Sequence, residues 1–418
     1  MNLFNTNLSV SESLRQRQHT RTCRQQIEIA LSWGIGLATF LVYYLTLSHT
    51  FYPGSSARSI SELLNLIPHS TIDHPGWRVV AQSVIALPLF TLPVRLNLFS
   101  ALCGALSVAV LFRMASRVLF EFTHSEQAFY YDQYQSENTP DNDTSEATQG
   151  QQNDGGAECT PAMVGGFLTA IAFGFGVSFW SASVSLNPQT FDLLLFLLMA
   201  SALASYIYTG SILSCVFAVF LLHLGLMESV LFVFVAPVVI YLIFRTGSDF
   251  EQISQSFTLL FFVAAILGIG LSLAAALSLA KETGAIDVQG VFALLQGIAK
   301  SHVATLRDGF PKMGWLLVLI ETVLPLVAVL WGASSFISSS DMITRWLWGL
   351  LNSIFVIVAI GCLFGAPYTP WALLHDTSRI PVVPGLATAL TLGILYVYWY
   401  NIRNTPQLTY RTEDTSIP

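Results

Sequence analysis

The feature that most constrains this chain is a series of apolar blocks, each about 17–25 residues long, without polar alternation. A block of that length matches the hydrocarbon thickness of a bilayer. Backbone inside hydrocarbon must satisfy its own hydrogen bonds, so each block is expected to fold as a helix. The blocks fall at about 29–48, 96–119, 162–181, 190–208, 211–226, 228–244, 256–280, 314–337, 346–366 and 383–400. The expected fold is therefore an all-α polytopic membrane protein with about ten transmembrane helices. Only 10% of residues are charged, against roughly 25% in a soluble domain.

Basic residues near the span ends give an orientation. In the leader 1–28, residues 1–26 set Arg15, Arg17, Arg21 and Arg24 against a single acid, Glu12, which places that leader in the cytoplasm. Arg113, Arg117, Arg245, Arg345, Arg403 and Arg411 mark the same side. The region 29–120 then holds two spans joined by an outer loop 1 (49–94). The region 161–403 holds the remaining spans with outer loops 281–313 and 367–382, and 404–418 is a cytoplasmic tail. Between them, 121–160 has nine acids and no lysine or arginine, a composition expected to form a disordered cytoplasmic loop. The C-terminal Asp-Thr-Ser-Ile-Pro has no retention signal, so a bacterial cytoplasmic membrane is expected.

Several classes are disfavoured. No basic patch with interleaved aromatics points to nucleic acid. The five cysteines lack metal-ligand spacing and are expected to form no disulfide. No internal repeat supports a repeat-built transporter.

Chemistry concentrates in loop 1. Ile60, Leu63, Leu64 and Ile67 repeat at helical spacing, so 58–68 is expected to be an amphipathic helix lying on the membrane. The apolar run 79–92, broken by Pro88, reads as an interfacial or re-entrant helix. Glu62, Asp73 and His74 offer carboxylate and imidazole groups for proton transfer or metal binding. Arg58, Arg78 and Arg95 offer guanidinium groups that fit phosphate oxygens. The competing reading is that these arginines snorkel to ordinary headgroups. Asp192, His223, Glu228 and Glu321 lie toward the outer ends of their spans, and five of the eight histidines fall in outer loops. This one-sided placement predicts a single polar cavity opening outward.

The run His74-Pro75-Gly76-Trp77, followed by Arg95-Leu96-Asn97-Leu98-Phe99-Ser100-Ala101-Leu102-Cys103-Gly104-Ala105, resembles the protein O-mannosyltransferase-like membrane family. Members show D-S-G-E, then H-P-P-G-Y, then R-V-N-L-x-S-A-L-x-G-A at the start of the next span. The likeness covers roughly 30–245. It implies a GT-C-type glycosyltransferase that moves a sugar from a polyprenyl-phosphate donor to a protein or glycan acceptor on the outer face. It implies Arg95 at the donor phosphate and a loop 1 acid as base. Its partners would be the bilayer, a lipid-linked sugar and a protein acceptor, with a divalent metal left open.

The sequence also departs from the motif. The family's D-S-G-E falls on Ser59-Ile60-Ser61-Glu62, so its Asp is Ser59. A further family acid falls on Asn187, and an N-H pair falls around Met227-Glu228. The base is then Glu62 or Asp73, or the chain is a degenerate member that binds a lipid-linked sugar or a protein without transferring. A transporter or flippase is the remaining alternative.

Overall fold

The computed structural model describes residues 26–51, 60–61, 63–64, 74–137, 159–249, 255–282 and 296–300, and single residues at 302, 389, 393 and 396. The described residues form helices and their connections. In chain order these are α1 (Gln26–Leu45), α2 (Pro75–Ile85), α3 (Leu92–Glu137), α4 (Cys159–Gly174), α5 (Val177–Ser183), α6 (Pro188–Thr209), α7 (Ile212–Glu228), α8 (Val230–Asp249) and α9 (Gln255–Glu282). Four stretches, Gln26–Leu45, Leu92–Phe120, Pro188–Thr209 and Phe257–Leu277, are long and apolar enough to cross a bilayer. The expected spans at 314–337, 346–366 and 383–400, with loop 367–382, lie outside the described residues apart from positions 389, 393 and 396.

The bundle packs through small residues. Lipid is as apolar as leucine, so helices in a membrane associate where small side chains let backbones approach. On α1, Ser32 and Gly36 stand one turn apart and face Ala105 and Ala109 of α3. A Cβ added at Gly36 would meet Ala109 Cβ at 3.0 Å, and Ser32 Oγ donates to the Ala109 carbonyl at 2.9 Å. Glu28 and Arg117 pair at 3.7 Å at one end of these two helices. At the opposite end the Asn97 amide donates to the Ser48 carbonyl at 2.7 Å. The two helices are therefore antiparallel. Against α4, a Cβ at Gly166 would lie 2.9 Å from Ser116 N and 3.1 Å from the Phe112 carbonyl.

Outward faces are apolar. Leu259, Phe262, Ile266 and Leu267 of α9 are each more than half exposed, as are Trp33, Leu37, Leu41 and Leu45 of α1. Stripes of this kind are matched to hydrocarbon and would be a liability in water. The chain is an integral membrane protein.

Three differences from the sequence reading have physical causes. The expected span 162–181 is two helices, α4 and α5, broken where Gly176 takes an extended conformation (φ −58°, ψ 130°). Beside the break, the Gly174 carbonyl accepts from Tyr43 Oη at 2.6 Å. The stretch from 121, expected to be disordered, continues α3 as helix to Glu137. Extending an existing helix avoids the nucleation penalty, and 121–137 contains neither glycine nor proline; residues 138–158 lie outside the description. Ile60 and Leu63, expected to lie on lipid, are buried with Trp77, Ala81, Leu96 and Leu186. An apolar stripe buries equally well on protein, and here α2 supplies that surface.

Gly166→Leu is expected to lower the melting temperature of the detergent-solubilised protein through overpacking of about 1–3 kcal/mol. Gly34→Leu, where an added Cβ meets nothing within 4 Å, is expected to leave it unchanged. Differential scanning fluorimetry of both variants checks this.

Candidate functional site

The site is built on the first turn of α2, where each backbone N–H has a defined partner. A helix N-terminus leaves its first N–H groups without intrahelical acceptors. Here the first helical residue is Pro75, which has no N–H and a φ suited to that position. The next two N–H groups, of Gly76 and Trp77, donate to Glu228 Oε1 at 2.5 Å and Oε2 at 3.3 Å. The Arg78 N–H reaches the His74 carbonyl at 3.0 Å, the first intrahelical bond. Glu228, at the end of α7, therefore does for α2 what a capping side chain normally does, from 151 or more residues away in sequence. The carboxyl group also sits at the positive end of the helix dipole, which favours its ionised form. A Cβ at Gly76 would lie 2.6 Å from Glu228 Oε1, so a larger residue there would displace the carboxylate from the helix end.

His74 occupies the N-cap in the left-handed region (φ 53°, ψ 59°) and makes no side-chain capping bond. Such a conformation in a non-glycine residue costs on the order of 1 kcal/mol, and positions held this way cluster at functional sites. The turn directs its ring at α6, where Nδ1 stands 3.0 Å from Asp192 Oδ2. Asp192 reaches this point because α6 starts immediately before it. Asn187 caps that helix by accepting from the Gln189 N–H at 3.0 Å, and Pro188 takes the first helical position. The turn is pinned to α3 by the Asn187 N–H donating to Ser100 Oγ at 3.2 Å.

One ligand-capable atom from each of His74, Asp192 and Glu228 lies within 4.8 Å of the others. The residues are 8%, 6% and 2% exposed. If both carboxylates are ionised, their repulsion at this range is about 3 kcal/mol at an effective dielectric of about 20. Nitrogen and carboxylate oxygens that converge from three helices can bind a cation, share a proton or orient a bound polar molecule. An apolar cluster of Trp77, Ala81, Leu96 and Leu186 adjoins them.

Of the residues singled out in loop 1, His74 is at this centre, while Glu62, Asp73 and Arg58 lie outside the described residues. Arg78 is buried on α2 one turn beyond His74. Arg95 is half-buried, and its Nη1 donates to the carbonyls of Ile85, at 2.6 Å, and Leu87, which end α2. Its Nε is buried with no hydrogen-bond partner among the described residues. Arg95 thus closes one end of α2 as Glu228 closes the other.

Asp192 and Glu228 were placed by the sequence toward one end of the bundle but not in the catalytic group. The signal for them is an acid inside an apolar helix, which has few innocuous explanations. His223, grouped with them by sequence, instead bonds back to the Val219 carbonyl at 2.8 Å and faces Phe261 edge-on. His302, in the stretch 281–313 expected to be a loop, does reach this end of the bundle, with Nε2 3.0 Å from the Leu226 carbonyl.

Residues 67–254, just under half of the chain, match the family model described as the protein O-mannosyl-transferase TMEM260 N-terminal domain. The match contains α2, α6 and α7, and so all three residues of the buried cluster. It supports the likeness to protein O-mannosyltransferases drawn from His74–Trp77 and Arg95–Ala105. No curated protein and no solved structure matches the chain.

Removing the Glu228 carboxylate leaves two first-turn N–H groups without acceptors, each worth about 1–3 kcal/mol when buried. Glu228→Ala is therefore expected to speed amide hydrogen exchange across 76–85 by about 10-fold or more, with Glu228→Gln intermediate. Exchange in α6 and α7 away from the site is expected to change little.

Proposed function

We propose that this protein transfers a sugar, mannose by its family likeness, from a polyprenyl-phosphate donor to a hydroxyl on a protein or glycan acceptor. The reaction is placed at the outer face of a GT-C-type fold with about ten spans and both termini in the cytoplasm. The observation that supports this reading most is the burial of the His74–Trp77 motif, central to the family likeness, against Asp192 and Glu228. A motif held only by headgroup contacts would not need two carboxylates from distant helices beneath it.

In this reading the acceptor hydroxyl loses its proton to a loop 1 carboxylate as its oxygen attacks the anomeric carbon. The bond from that carbon to the phosphate oxygen breaks, and polyprenyl phosphate leaves with the electron pair. His74 is engaged with Asp192, so the base is Glu62 or Asp73. Asp73 directly precedes His74 in the sequence. Arg58 and Arg78 are the arginines assigned to the donor phosphate. Arg95 acts mainly by closing α2, because its Nη1 is taken by two carbonyls.

The test is transfer of labelled mannose from polyprenyl-phosphate mannose to a Ser/Thr-rich acceptor by the full-length protein in lipid nanodiscs. Loss of the base in Glu62→Gln or in Asp73→Asn is expected to lower turnover by about 100-fold or more. Arg78→Ala is expected to raise KM for the donor. Absence of transfer by the native protein, with retained binding of the lipid-linked sugar, would instead establish the non-catalytic scaffold.

A further inference from the structure

We propose that His74, Asp192 and Glu228 form a binding site for a divalent transition-metal ion of the Zn2+ or Mn2+ kind. The site is a separate property of the chain and stands whether or not the sugar-transfer reading does.

The donor set comes first. An imidazole and two carboxylates supply three ligand atoms from three different elements, all within 4.8 Å of one another. Three protein ligands among the described residues is the ligand number of catalytic rather than four-coordinate structural metal sites. An imidazole among the ligands favours first-row transition ions over Ca2+ and Mg2+, whereas carboxylates alone would not discriminate.

Charge points the same way. Neither Asp192 nor Glu228 has a lysine or arginine ion pair among the described residues. Even with His74 protonated, the three side chains sum to a net negative charge with both carboxylates ionised. A divalent cation with neutral imidazole brings the sum to zero and neutralises the buried cluster without protonating either carboxylate.

The third observation is an oxygen. Asp192 is 6% exposed, and its Oδ1 is buried with no hydrogen-bond partner among the described residues, although buried carboxylate oxygens are nearly always bonded. Its other oxygen faces His74 Nδ1 at 3.0 Å, a separation that two ligands of one ion also adopt.

The ligands are also held in advance. Metal ligands are normally oriented by outer hydrogen bonds, and Glu228 is fixed by the Gly76 and Trp77 N–H groups. His74 is fixed by its left-handed N-cap conformation.

The experiment uses the full-length protein, purified without chelator or a histidine tag and reconstituted in nanodiscs. Elemental analysis measures retained ions, and the chelator-stripped protein is then titrated with Zn2+ or Mn2+. About one equivalent is expected per chain, with affinity reduced by about 100-fold or more in Asp192→Asn and in His74→Ala. The stripped native protein is expected to gain roughly 5 °C in Tm at an ion concentration about 100 times Kd. That titration decides the matter if either variant fails to elute as a single species. Background ion content together with an unchanged Tm overturns the site, and so does native affinity in a folded Asp192→Asn. Ion binding without mannose transfer removes the transfer reading and leaves this site in place. Transfer that persists with no retained ion does the reverse.

Discussion

The interaction on which the rest of this end of the molecule depends is the Glu228 carboxylate under the first turn of α2. It satisfies two N–H groups that no helix residue can, and Pro75 removes the need for a third acceptor. Without it, a short helix in apolar surroundings would begin with unpaired donors. With it, loop 1 is anchored to α7, and the N-cap His74 is carried to Asp192 of α6. Arg95 secures the other end of α2 by bonding the carbonyls of Ile85 and Leu87. A charged side chain therefore terminates each end of this helix, and both come from outside it.

The bundle below makes that placement rigid. Ser32 and Gly36 on α1 meet Ala105 and Ala109 on α3, and Gly166 on α4 meets Ser116 and Phe112. These contacts depend on shape, since apolar burial gives no preference for a neighbouring helix over lipid. Asn97 and Ser100 then tie the α3 N-terminus to residues 48 and 187, fixing the starting point of α6 and hence the height of Asp192. The polar groups at this end are positioned by packing that begins several turns away.

Among the described residues the helices were legible because span length is read directly from the chain. The helices α1, α3, α6, α7, α8 and α9 lie close to their apolar blocks. The break between α4 and α5 was not legible, since Phe175-Gly176 lies inside an apolar block and the cue is a backbone conformation. The helix continuing to Glu137 was missed because composition reports solvation, whereas helix growth from an existing span depends on the lack of breakers. In the site, His74 was found through its motif. Asp192 and Glu228 were recognised as acids on one end of the bundle, but nothing local shows that they meet His74. That meeting is a long-range contact, and a single sequence holds no periodicity that encodes it.

The central claim is that the three side chains form one coupled, buried centre. A double-mutant cycle between Asp192→Asn and Glu228→Gln, read as unfolding free energy in a fixed detergent, tests it most directly. Coupling of about 1 kcal/mol or more is predicted, because each carboxylate acts on the other at close range. Effects that add to within about 0.3 kcal/mol would contradict it, and would mean that the two acids serve α2 and α6 independently.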